Sequence, residues 1–249
     1  MQKHALVIGG TRGLGKETVK QFNEEGHKLT VLARAKPTDI DHDNKNLFYI
    51  EADLNDESAY LKRILAAVES RGKLNYLIFL QRYRGEGDCW QGELDVTLHA
   101  TRVIIDQLKN GYIHVARPDS SIVMVSSMAG KFATNSQPLS YAVAKAGLNQ
   151  MVQHYAAELG PKGIRVNAVS PCSFIKEESR QYYLENNELH ELYQRIIPLR
   201  RMCNAKDVAN VISFLCSEKS AFISGQNIIV DGGLSVINHE SLARAVESI

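Results

Sequence analysis

Proline and tryptophan are scarce in this chain, with six prolines and one tryptophan among 249 residues. No Pro/Gly-rich stretch stands between two halves as a linker, and there is no repeat or low-complexity tract. Cysteine is as sparse. Cys89, Cys172, Cys203 and Cys216 form no CxxC pair, and no histidine lies at zinc-finger spacing from them. That argues against a structural metal and against a disulfide framework, and it fits a reducing compartment. An excess of either charge is also missing, since 29 Lys+Arg face 28 Asp+Glu. Such a balance offers no counterion-release footprint for nucleic acid and no pull toward anionic lipid. No apolar run approaches the ~20 residues that a bilayer-spanning helix needs. The short run in MQKHALVIGG is too brief for a signal sequence and leads straight into a glycine turn. A cytoplasmic protein is expected, with small solutes rather than nucleic acid or membrane as its partners.

What is present is an ordinary globular composition, 44% hydrophobic and 23% charged. Short β-like runs (4–8, 29–33, 47–51, 76–80, 122–126, 165–169 and 227–230) alternate with helical patterns (14–25, 58–70, 94–109, 141–159 and 206–217). Strand–helix alternation of this kind predicts βαβ units and a parallel sheet covered on both faces. The strands are apolar on both sides, as a covered sheet requires. The longest interruption runs from Pro171 to Arg201 and is polar, with Tyr182, Tyr183, Leu184, Leu189, Leu192 and Tyr193 suggesting one or two short helices. Following a strand's carboxyl end, residues 172–201 read as a substrate lid or as a surface excursion.

The first strand ends in Gly9-Gly10-Thr11-Arg12-Gly13-Leu14-Gly15 and a helix follows. Glycines allow a sharp turn and close approach to phosphate, and a helix N-terminus presents unpaired N–H groups and a positive dipole end. The GxxxGxG spacing differs from the commonest dinucleotide fingerprint, but its place between a first strand and a first helix favours a nucleotide. The second strand ends at Arg34, about twenty residues on, where an acid would hold the ribose 2′-OH of NAD and a cation would accept a 2′-phosphate. With Arg12 in the glycine turn, Arg34 points to NADP(H) in preference to NAD(H). Asp53 and Leu54, after the third strand, border the adenine, or Asp53 caps the next helix.

Tyr141 and Lys145 are four apart on one helical face. A phenol is ordinarily too weak an acid for neutral pH, and a nearby ammonium favours its ionised form. Ser127, just past the fifth strand, is placed to hydrogen-bond a substrate oxygen.

Taken together these motifs resemble those of the short-chain dehydrogenase/reductase family, and of 3-oxoacyl-ACP reductase-like members in particular. The resemblance runs from Ala5 to about Val236. Gly9–Gly15 matches the cofactor turn, and Ser127, Tyr141 and Lys145 match the catalytic residues. Residues Ile164 to Pro171 match the strand and turn beside the nicotinamide, and Gly225-Gln226 with Asp231-Gly232-Gly233 the closing strand and turn. It implies a single Rossmann-type domain, a doubly wound seven-stranded parallel sheet with helices on both faces. It also implies hydride transfer between nicotinamide C4 and a carbonyl or secondary alcohol, with Tyr141 as proton donor. Ser127 then polarises the substrate, while Tyr141, Lys145 and Pro171 join Gly9, Thr11, Arg12, Gly13, Leu14, Gly15, Arg34, Asp53 and Leu54 around the cofactor. A homodimer or homotetramer is implied as well, through the helices beginning at Leu94 and Tyr141.

Three departures stand out. Phe79-Leu80-Gln81-Arg82 replaces the family's Asn-Asn-Ala-Gly, Thr97 stands where a catalytic Asn is usual, and Cys172 replaces the glycine after the proline. Cys172 reads as a redox sensor or, on simpler grounds, as a small apolar turn residue. Arg82 and Arg84, in the polar stretch Gln81 to Trp90, either receive an anionic substrate group or belong to a solvated loop. His99 reads as a packing residue. The leading expectation is an NADPH-dependent carbonyl reductase. An NAD(P)+-dependent alcohol or sugar dehydrogenase and a non-catalytic dinucleotide-binding regulator are the alternatives.

Overall fold

The computed structural model describes residues 2–37, 44–85, 89–115, 120–175 and 180–247. From the N-terminus run β1 (His4–Ile8), α1 (Gly13–Glu24), β2 (Lys28–Ala33), β3 (Leu47–Glu51), α2 (Glu57–Arg71) and β4 (Tyr76–Phe79). Next come α3 (Trp90–Glu93), a π-helical turn (Leu94–His99), α4 (Ala100–Leu108), β5 (Ser120–Val125), α5 (Leu139–Leu159) and β6 (Ile164–Pro171). β7 (Phe174–Ile175), α6 (Arg180–Glu185), α7 (Asn187–Ile196), β8 (Cys203–Asn204), α8 (Ala205–Cys216), β9 (Asn227–Val230) and α9 (His239–Glu247) follow.

Seven strands form one sheet in the order β3-β2-β1-β4-β5-β6-β9, and every pairing is parallel. Alternate strand residues face opposite layers. Leu6, Ile8, Leu77, Ile122 and Val166 pack with Tyr60 and Ile64 of α2, Ile104 of α4 and Leu148 of α5. On the other face Val7, Val31, Ile78 and Val123 pack with Val19 and Phe22 of α1 and Val208 and Ile212 of α8. Burial on both faces is why these strands carry apolar side chains at nearly every position.

Local chemistry sets the helix ends. The Asp56 carboxylate accepts from Ala59 N at 3.1 Å at the start of α2. Asn204 and Asp207 form a reciprocal capping box at the start of α8, and Arg201 pairs with Asp207 at 2.6 and 2.9 Å. At the other end of α8, buried Arg165 of β6 donates to the Leu215 carbonyl at 2.7 Å and to the Ser220 hydroxyl at 2.8 Å. A guanidinium there meets the negative end of the helix dipole and satisfies its last carbonyls. Asn167 ties β6 to the approach of β9 by donating to Ile223 O and accepting from Gln226 N.

The structure differs from the sequence expectation in three places. The helix expected from Leu94 starts at Trp90 and contains a widened turn, which a 3.6-residue periodicity does not register. A two-residue parallel pair, β7 with β8, closes the base of the 172–201 segment. The tail forms α9, which lies against α7. Within 172–201, residues 176–179 lie outside the described residues, as do residues 86–88 of the Gln81–Trp90 stretch. None of the described helices is long and apolar enough to cross a membrane.

At the amino edge of the sheet, His4 bonds Gly72 O through Nδ1 at 2.7 Å and Thr30 Oγ1 through Nε2 at 2.9 Å. The Thr30 hydroxyl also accepts from Arg71 Nε at 3.2 Å. Burial, aided by the nearby Arg71 and Lys28 charges, pushes the imidazole down to about 4 from an ordinary 6.5. The folded protein therefore holds His4 neutral where the unfolded chain protonates it. Its contribution is complete above pH 6.5 and is lost as the pH falls toward 4. A loss of about 3 kcal/mol by pH 4 is expected. Urea unfolding across that range should show it as a steeper decline in the wild type than in His4→Gln.

Candidate active site

The sheet order reverses between β1 and β4, and the divergence of the two connections opens a crevice at the strands' carboxyl ends. Gly9, Thr11 and Arg12 after β1, Arg34 after β2, Asp53 and Leu54 after β3, and Gln81 to Gly85 after β4 line a cleft of about 600 Å³ there. Gly9 has φ +87°, and a Cβ on it would lie 2.9 Å from Gln81 N. A Cβ on Gly15 would collide with the Gly9 carbonyl oxygen, so glycine lets α1 press directly on the turn. Gly13, Leu14 and Gly15 build that first turn beneath the cleft rather than lining it. No side chain caps the N-terminus of α1, and its first turn carries no acid. An anion is the natural partner of such an end.

The charges in the cleft are lopsided. Arg12, Arg34, Arg82 and Arg84 line it with Asp53 as the one acid among the lining residues. Asp53 accepts from Asn55 N and Nδ2 at 3.0 and 2.8 Å, and the cap of α2 falls to Asp56 instead. These residues fit a dinucleotide. Glycine keeps the turn open at Gly9, and two exposed arginines, Arg12 and Arg34, follow β1 and β2.

Tyr141 and Lys145 stand together beyond Arg82, on the helix against which the turn that follows Ser127 packs. Ser127 starts a short 3₁₀ turn (Met128–Gly130) and accepts from Ala129 N at 3.2 Å. A Cβ on Gly130 would sit 2.7 Å from the Lys145 carbonyl carbon, so this turn rests directly on α5. The Ser126 hydroxyl donates to Lys145 O at 3.0 Å, and Asn149 donates to Gly130 O at 3.1 Å. Asn149 in turn accepts from Asn227 of β9 at 2.9 Å. Lys145 is 3% exposed, and its Nζ donates to Val125 O at 2.8 Å and lies 5.6 Å from the Tyr141 ring centroid. Burial lowers the ammonium to about 8; the Glu93 carboxylate opposes that shift and the Arg82 charge adds to it. The Arg82 guanidinium is 4.8 Å from the Tyr141 ring centroid, and its Nη2 donates to Gln137 Oε1 at 3.1 Å. Arg82 thus belongs both to the cleft and to the Tyr141 group.

Thr97 does not stand in simply for an asparagine. It is buried in the π-helical turn, and its hydroxyl donates to Glu93 Oε2 at 3.3 Å. Glu93 is itself buried and was not singled out from the sequence. Its only signal is the four-residue spacing to Thr97 on a helix that faces Lys145. Gln81, also buried, donates to Thr101 Oγ1 at 2.7 Å, fastening the end of β4 to the same helix. His99 is about half exposed rather than a packing residue, and its Nε2 donates to the Glu57 carboxylate at 2.7 Å. Pro171 ends β6 against Val230, outside the lining of the cleft. Cys172 packs beside the α1/α8 layer, and hydrogen bonding with Cys203 lowers its thiol and raises that of Cys203.

The chain has clear relatives. A sequence model of enoyl-(acyl carrier protein) reductases matches residues 9–235. Isoepoxydon dehydrogenase of Penicillium expansum is 30% identical over 94% of this chain and 95% of its own. The 3-oxoacyl-[acyl-carrier-protein] reductase of Staphylococcus aureus is 29% identical over 94% and 98%. Among solved structures, a short-chain dehydrogenase/reductase family oxidoreductase of Burkholderia thailandensis superposes with a TM-score of 0.81 at 25% identity, covering 100% of this chain and 98% of that one. With most of its length matched in both sequence and fold, the chain belongs to the short-chain dehydrogenase/reductase family of oxidoreductases.

Proposed function

We propose that the protein is an NADPH-dependent carbonyl reductase that works as one domain, with residues 172–201 as its substrate lid. The observation that carries this reading is Lys145, buried to 3% exposure with its Nζ 5.6 Å from the Tyr141 ring, next to a cleft with arginines at its β1 and β2 ends. A hydride from the bound nicotinamide is what the cofactor supplies. Ser127 holds the carbonyl oxygen by a hydrogen bond, and Tyr141 gives that oxygen its proton as negative charge develops there. Lys145, kept in place by Val125 O, favours the phenolate that remains. Arg12 and Arg34 bind the 2′-phosphate. The S. aureus relative bears the name of a reductase, which supports this direction over alcohol oxidation.

The test is steady-state kinetics with NADPH and NADH on a panel of ketones; a preference for NADH would remove the 2′-phosphate assignment. A pH dependence follows from Lys145. Its ammonium is lost above about pH 8, so kcat/KM for reduction is expected to fall above that pH. Because the Glu93 carboxylate holds the ammonium up, Glu93→Gln should move the break to lower pH. A profile that is flat through pH 8 in both proteins would disconnect Lys145 from proton transfer.

A further inference from the structure

We infer that Arg82 makes this a reductase of keto acids, by receiving a carboxylate on the substrate beside the carbonyl that Tyr141 protonates. The inference rests on the reductase reading above and names the substrate class of the same site. The chain leaves β4 as Gln81-Arg82-Tyr83-Arg84, and Arg82 is exposed at the rim of the cleft, where its side chain can meet an incoming ligand. The Arg82 side chain crosses from the end of β4 to the loop before α5. There Gln137 accepts one Nη2 hydrogen bond at 3.1 Å, and the Tyr141 ring lies under the guanidinium at 4.8 Å. The two contacts fix the plane of the fork. Gln137 takes one of five N–H donors, and a ring face takes none, so the remaining edge of the fork is free to pair with a planar anion.

Charge points the same way. Arg82 is the second cation at Tyr141, and its field disfavours the charged form of Lys145. Holding two like charges around one phenol is unfavourable unless an anion comes between or beside them. The Glu93 carboxylate offsets part of this on the Lys145 side. On the Arg82 side the acceptor that is present is the neutral Gln137 amide. A carboxylate on the substrate supplies the missing counter-charge. The short span from guanidinium to phenol limits it to a position next to the reacting carbonyl or one carbon away. Arginine suits this better than lysine because its fork accepts a carboxylate in two places and orients it.

Wild type and Arg82→Gln are to be compared on pyruvate and acetoacetate and on their methyl esters, followed as NADPH oxidation. Thermal unfolding of both proteins serves as the check on folding. The wild type is expected to favour each acid over its ester at least ~10-fold in kcat/KM, as one bidentate ion pair provides. Arg82→Gln should cut the acid-to-ester ratio by the same ~10-fold, to near one, chiefly through KM for the acid. Arg82→Lys should recover part of the ratio. An equal proportional loss on acids and esters, or a wild-type preference for the esters, would overturn the assignment while leaving the reductase reading intact. Bound NADPH with no turnover of any carbonyl would overturn both.

Discussion

Tyr141→Phe is expected to lower NADPH-dependent carbonyl reduction by about 10³-fold in kcat, the scale of a lost general acid. The exchange removes a single oxygen. The ring remains to support the Arg82 guanidinium at 4.8 Å and to stand beside Lys145. The fold does not depend on that oxygen, since no hydrogen bond within the described structure holds the phenol in place. Thermal unfolding should therefore be nearly unchanged, and NADPH should still bind, as fluorescence of the reduced nicotinamide would report. Unchanged turnover would remove Tyr141 as the proton donor. A wild type that binds NADPH and reduces nothing would favour the regulatory, non-catalytic alternative.

Replacing both Arg12 and Arg34 by Ala should cut kcat/KM for NADPH by about 10³-fold while leaving NADH far less affected. A guanidinium that pairs with a phosphate contributes roughly 1.5–3 kcal/mol, or about one to two powers of ten. Both side chains are exposed at the rim of the cleft, so added salt should weaken NADPH binding in the wild type and have less effect in the double variant. Arg34→Asp should go further and turn the preference toward NADH. A carboxylate at the end of β2 accepts from a ribose hydroxyl and repels the 2′-phosphate. Kinetic constants for both cofactors, measured at one ionic strength, check all three. Equal losses with NADPH and NADH would place the arginines elsewhere on the cofactor or in the fold.

The layered α/β architecture was readable before any coordinates because its signals are local. A strand buried on both faces must be apolar at nearly every position, as Ala5 to Ile8 of β1 and YLIF are, and an amphipathic helix must repeat with its own turn. Glycine at positions 9 and 15 was equally legible, because a Cβ at either would run into backbone, Gln81 N in the first case and the Gly9 carbonyl in the second. The four-residue step from Tyr141 to Lys145 placed both on one side of α5 for the same kind of reason. The π-helical turn escaped notice, since one residue added to one turn hardly disturbs an apolar pattern. So did α9, whose apolar stripe has meaning only once α7 is there to meet it.

Residue order alone therefore decided the sheet, the glycine turn and the shared helix face of Tyr141 and Lys145, which follow from short-range spacing, while the family resemblance is what set Ser127 beside them. Folding decided the electrostatics around that group. Glu93 was drawn under Lys145, the Thr97 hydroxyl turned toward Glu93, and Arg82 was laid across Tyr141 onto Gln137. These partners are 55 residues apart in one case and join different layers in the others. Charge and hydrogen bonding act through space, so no pattern along the chain discloses which groups will share a dry pocket until the strands have set the helices against one another.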